Sequence, residues 1–94
     1  MNISKAMREV RLSSGLNQKE IAAKLKITQT YVSLIENGHK IPSLEVIEAY
    51  GNVAKFPLAI VLWKAIDEKD VAQNKKKIFR ELKPTIDKFI SEFF

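Results

Sequence analysis

Between Gly15 and Gly38, two helix starts and two helix stops fall so close together that only a pair of short helices joined by a tight turn fits. Asn17 is a good N-cap, and Glu20 stands three positions on, in the capping-box relation. Ile21, Ala22 and Leu25 follow at helical spacing, Lys26 and Ile27 form the turn, and Thr28 caps a second helix. That second helix is predicted from about Gln29 to Asn37, with Val32 and Ile35 on its apolar face and Gly38 as its stop. On the other side lie Gln29, Thr30, Ser33, Leu34 and Asn37, none of them charged. A merely solvated helix in a basic chain would carry Lys and Glu there. Carboxamides instead match the paired donor and acceptor on the edge of adenine.

The flanking segments are helical by the same reasoning. A first helix, about Ile3 to Ser13, places Ile3, Met7 and Val10 on one face; Gly15 closes it and Leu16 returns to the core. After the loop from Gly38 to Pro42, Ser43 caps a fourth helix with Leu44, Ile47, Tyr50 and Ala54 expected to point inward. Gly51 interrupts that helix at some cost, which implies the close approach of a neighbouring backbone. Pro57 suits the first turn of a fifth helix, Leu58 to about Ile66, whose Ile60, Val61, Leu62 and Trp63 must be covered by this chain or by a partner. From Asp67 the pattern turns to charged residues around Val71, Ile78, Phe79 and Leu82. Pro84 is then expected to begin a last helix, breaking or kinking what would otherwise be one long one.

Several of these residues fall in an ordered series: Gly15-Leu16-Asn17-Gln18, the spacing from Gln18 to Glu36-Asn37-Gly38, and Ile41-Pro42-Ser43-Leu44. Over roughly residues 3 to 58 the series resembles the Cro and phage-repressor type (XRE-like) of helix-turn-helix proteins, which are all-helical DNA binders. The resemblance implies an all-α, five-helix phage-repressor-like DNA-binding domain, over residues 1–66; the family core needs nothing further, and the C-terminal helical extension over residues 67–94 is read from the residues alone. It places Gln29 and Thr30 at the first positions of the recognition helix, facing base edges, with Ser33 and Leu34 one turn further on. Leu34 has no hydrogen bond to offer and would meet a thymine methyl or exclude water. Gln18 and Asn37 would clamp backbone phosphates, positioning without specifying. Tyr31 would reach the phosphates or pack at the domain edge; His39 and Lys40 would touch phosphate or stay solvated. Arg11 and Glu36 match the family's salt bridge between the first and third helices. In two places, Lys26 and Lys55, the chain has a lysine where the family usually has glycine in a left-handed conformation.

Composition narrows the function classes. The 94 residues make one small domain without cysteine and with a single His, so no disulfide framework, thiolate chemistry, zinc site or cofactor site is expected. No paired carboxylates stand with a His, Ser or metal ligand at a telling spacing, and Gly15, Gly38 and Gly51 form no phosphate loop. An enzyme is therefore not expected. The N-terminal residues carry no apolar signal core, and the longest apolar run, Pro57 to Trp63, is too short for a bilayer, which suggests a cytoplasmic protein without membrane contact. The net charge of +5 is spread evenly, with 7 basic against 5 acidic residues up to Ala54 and 9 against 6 after it. It favours an anionic partner without locating the surface. Lys75, Lys76 and Lys77 read as a solvated face or as a second contact to DNA.

The expectation is a sequence-specific regulator of transcription, a repressor binding double-stranded DNA as a homodimer on a near-palindromic operator. The alternative is an antitoxin or adaptor whose C-terminal helices bind a protein, such as a toxin or an anti-repressor. Ile86, Phe89, Ile90 and Phe93 form the apolar stripe of the extension. It either joins two copies or folds back over Ile60, Val61 and Trp63.

Overall fold

A computed structural model describes residues 1–94. It is all-helical, with α1 (Ile3–Ser13), α2 (Gln18–Leu25), α3 (Gln29–Glu36), α4 (Leu44–Ala54) and α5 (Leu58–Ala65). Two short 3-10 turns, Glu68–Asp70 and Gln73–Lys75, lead into α6 (Lys76–Phe93). The helix starts are built by the side chains that the sequence pointed to. Asn17 and Glu20 close a reciprocal capping box, while the hydroxyls of Thr28 and Ser43 accept from the backbone N–H groups of Tyr31 and Val46. Asn2, which pattern reading passed over, caps α1 in the same way.

Helix α1 is the centre of the bundle and packs on α3, α4 and α5, with α2 set against α3 and α4. Met7, Val10, Ile21, Val32, Ile35, Tyr50 and Val61 are fully enclosed between them. Burial of such side chains contributes about 1.5 to 3 kcal/mol apiece, the main term holding α3 in place. Gly51 lies where α4 meets the start of α5. A Cβ there would stand 2.7 Å from the Phe56 carbonyl oxygen and 3.0 Å from a Val61 methyl, so the backbone approach inferred from sequence is real. Lys26 and Lys55 close α2 and α4 in the left-handed region, at φ 57° and 62°, a conformation that costs a residue with a Cβ about 1 kcal/mol.

Three expectations are corrected. Leu44 does not point inward: it is 58% exposed, because it is the first residue of α4 and stands at the end of the packed length, leaving Ile47, Tyr50 and Gly51 as the inward positions. Pro84 does not begin a helix but lies inside α6, which runs unbroken through it. The ring removes the bond to the Arg80 carbonyl, and both residues are exposed, so water replaces the lost donor. The stripe of the extension is also split, since Ile90 is buried on the chain's own domain while Phe89 and Phe93 are exposed.

Helix α6 is fastened at few points. Trp63 Nε1 donates to Asp87 Oδ1 at 2.9 Å, the Lys83 ammonium lies 5.1 Å over the same indole, and Phe79 stands at 6.1 Å from it. Phe94 meets Phe56 edge to face at 6.4 Å. The connecting turns are tied to the chain start: the Met1 ammonium donates to Asp70 Oδ1 at 2.6 Å, and the Asn2 N–H to the Ala65 carbonyl at 2.7 Å. No single helix is long and apolar enough to cross a membrane.

Candidate nucleic-acid interface

The outward face of α3 is assembled from capping and packing alone. With Val32 and Ile35 enclosed in the core, helical geometry turns Gln29, Thr30, Ser33 and Leu34 outward. These four and Gln18, from the first turn of α2, line one shallow open depression. Gln29 and Thr30 are exposed, Ser33 and Gln18 half-buried, and Leu34 shows an apolar patch to solvent. The surface is uncharged, so what it offers is shape, carboxamides and hydroxyls. Those are groups suited to base edges rather than to phosphate alone.

Behind this face lies a polar network. Arg11 Nε donates to both Glu36 oxygens at 3.0 and 2.9 Å, and its Nη2 lies 2.9 Å from Oε1. The Glu36 carboxylate also accepts from Tyr50 Oη at 3.2 Å and from Gln18 Nε2 at 3.4 Å, while Arg11 Nη1 donates to the Leu16 carbonyl at 3.0 Å. Both charged side chains are nearly withdrawn from water, and no enclosed side-chain polar atom lacks a partner. Burial, then the neighbouring Glu36 charge, pushes the Tyr50 phenol far above its ordinary range, so it stays protonated and remains a donor. The Arg11–Glu36 pairing was anticipated; the parts of Tyr50 and Gln18 were not. A buried tyrosine needs a partner for its hydroxyl, and that requirement was the available signal.

The flanks of the face hold the remaining candidates. Asn37 caps the C-terminus of α3 and donates from Nδ2 to Ser33 Oγ at 3.1 Å. Tyr31 is half-buried against the core, and the Lys40 ammonium lies 5.5 Å above its ring, so Tyr31 packs at the domain edge with an exposed cation over it. Arg8, which pattern reading did not single out, is exposed on a second depression that it lines with Arg11, Gln18, Glu36 and Asn37. Its position one turn before Arg11 on the same helix was the signal. The structure thus brings Gln18, Gln29, Thr30, Ser33, Leu34 and Asn37 to one continuous surface, with Lys40 and Arg8 as neighbouring cations.

This architecture agrees with the comparisons to known proteins. A helix-turn-helix family model matches residues 7–59, from the middle of α1 into the first turn of α5. Transcriptional regulator ClgR from Mycobacterium tuberculosis (strain CDC 1551 / Oshkosh) is 32% identical over 60 residues, 64% of this chain and 54% of its own length. ClgR from strain ATCC 25618 / H37Rv gives the same figures. The chain spans about half the length of the curated relatives it matches. The family match ends before α6.

Proposed function

The chain belongs to the helix-turn-helix family, and from that premise we propose that it is a sequence-specific DNA-binding regulator of transcription, a repressor acting in the cytoplasm as a homodimer on a near-palindromic operator. The observation that carries the reading is the uncharged, solvent-open face lined by Gln18, Gln29, Thr30, Ser33 and Leu34, fixed from behind by the Glu36 network. Inserted into a major groove, Gln29 and Thr30 in the first turn of α3 meet base edges first, with Ser33 and Leu34 behind them. Leu34 lies against a thymine methyl. Gln18 and Asn37 at the helix ends, with Arg8 and Lys40 at the flanks, hold the phosphate backbone and set the register. Two heads about one turn of DNA apart cover two half-sites, and occupancy of the promoter blocks transcription.

Selection of bound sites from a random DNA library tests this reading, with a two-fold motif as the expected result and the absence of any enriched motif against it. Within the selected site, Gln29→Ala should cost about 1 to 3 kcal/mol on the specific sequence and little on random DNA. Equal weakening on both would demote Gln29 to a positioning residue. The antitoxin or adaptor reading draws on one observation, the apolar side chains that α6 leaves in solvent. A second copy of the chain accounts for them while also supplying the second reading head.

A further inference from the structure

Two faces of α6, read at 100° per residue, carry different chemistry. The face toward the chain's own domain holds Phe79, Lys83, Asp87, Ile90 and Phe94, with two charged residues at its centre. One position earlier in each case run Ile78, Leu82, Ile86, Phe89 and Phe93, apolar at every step and exposed at 54, 48, 37, 61 and 66%. The helix therefore turns its more apolar seam to solvent. The rings of Phe89 and Phe93 already pack on each other, tilted by 34° with centroids 4.6 Å apart, and form a preset ridge.

We propose that this free seam, Ile78, Leu82, Ile86, Phe89 and Phe93, is the surface on which two copies of the chain pair, with their α6 helices antiparallel about a two-fold axis at Ile86. The proposal rests on the homodimeric reading above and adds to it the surface and its geometry. Ile90, expected in the stripe, belongs to the other face and takes no part. The seam spans the length of the helix, and counterparts pair large against small: Ile78 with Phe93 of the second copy, Leu82 with its Phe89, and Ile86 with itself. A parallel pair would set Phe89 against Phe89 and Phe93 against Phe93. It would also bring Lys75, Lys76 and Lys77 of both chains to one end. The antiparallel pair separates these lysines and lays each set beside Glu92 and the carbonyl end of the other helix, where the helix dipole favours cations. Pro84 lies on the far side of the helix and does not obstruct the approach.

The exposed share of the five seam side chains amounts to about 500 Å² per chain, at roughly 150 to 250 Å² for each whole side chain. Two copies together reach about 1,000 Å², the area that a specific interface has to clear.

The chain has no cysteine, so introduced thiols read the geometry directly. Under mild oxidation of the full chain, Ile86→Cys should cross-link to itself, and a mixture of Leu82→Cys with Phe89→Cys should give more mixed dimer than either variant alone. Ser91→Cys, on the opposite side of α6, should form no cross-link. Phe89→Glu, at an exposed position that leaves the fold intact by circular dichroism, should weaken self-association roughly 30-fold or more. A monomeric full chain at tens of micromolar, an unaffected Phe89→Glu dimer, or self-linking of Leu82→Cys above mixed linking would each overturn the proposal. The first of these results would hand the seam to a different protein. None of these readouts contains DNA, so a dimer of this geometry that selects no DNA motif would sink the regulator reading while leaving the interface standing.

Discussion

In α1 to α5 a charged pair is almost wholly removed from water and no enclosed side-chain polar atom lacks a partner, whereas α6 turns two charged residues toward its own domain and leaves five large apolar side chains in solvent beside a single buried one, Ile90. The Arg11–Glu36 pair joins α1 to α3 and reaches α2 through Gln18 and α4 through Tyr50, so one carboxylate fixes the relative angles of four helices. The ion pairs of the tail, Glu68 with Arg80 and Lys83 with Asp87, join neighbouring surface turns. Exposed pairs of this kind add little, since water competes for both partners. The bundle therefore works as a rigid mount for the outward face of α3. The tail carries an apolar surface that its own domain leaves open.

The sharpest way to break this contrast is to remove one partner of each kind of pair. Glu36→Ala leaves Arg11 as an enclosed, uncompensated charge and strips Tyr50 and Gln18 of their acceptor, so urea unfolding should show a loss of about 3 to 5 kcal/mol. Combined with Arg11→Met, the two changes should fall short of additivity by about 0.5 to 3 kcal/mol. Glu68→Ala should leave global stability unchanged, and equal losses at the two carboxylates would abolish the distinction. A second probe is steric: Gly51→Ala drives a methyl against the Phe56 carbonyl and should destabilise by about 1 to 3 kcal/mol by thermal melting. Indifference at Gly51 would mean that the α4–α5 junction is as yielding as the tail.

What the sequence made legible follows the same division. The bundle was readable because its signals are local: Asn17 with Glu20, Thr28 and Ser43 as caps, and apolar spacing that turned Gln29, Thr30, Ser33 and Leu34 outward by default. Even the cost of Gly51 pointed to a backbone contact that is present. The shared use of Glu36 by Tyr50 and Gln18 was hidden, because it depends on three helices meeting and no spacing along one of them reports it. The tail resisted for a different reason. Ile86, Phe89, Ile90 and Phe93 form one apolar set on paper, yet 100° of rotation divides them between two faces, and only packing against Trp63 and Phe56 decides which residues turn inward. Pro84 misled because its penalty depends on whether the orphaned carbonyl faces water.

A smaller effect, of opposite sign, belongs to the bundle. Lys55→Gly relieves a left-handed residue at the end of α4 and, set against the entropy that glycine adds to the unfolded chain, should stabilise by up to about 1 kcal/mol in urea unfolding. A loss would mean that the Lys55 side chain contributes more than its backbone conformation costs.

The last and smallest prediction concerns acid and the tail alone. A hydrogen bond from the Met1 ammonium holds the Asp70 carboxyl below its ordinary range, and Arg80 does the same for Glu68. A carboxyl lowered in the folded state lends its support fully above its unfolded value and loses it as pH falls through the folded one. Both ties therefore weaken below about pH 4, the ordinary carboxylate range, and hold above it. Trp63, the sole tryptophan, lies where α6 meets α5, so its fluorescence reports on the tail while far-UV circular dichroism reports mostly on the bundle. On acidification the Trp63 change should come at higher pH than the loss of helix, and Asp70→Asn combined with Glu68→Gln should abolish the early change, because the two tail groups that titrate there are gone. A single coincident transition in the unaltered chain would show that α6 unfolds with the bundle, and the contrast between a rigid mount and a loosely held tail would not survive it.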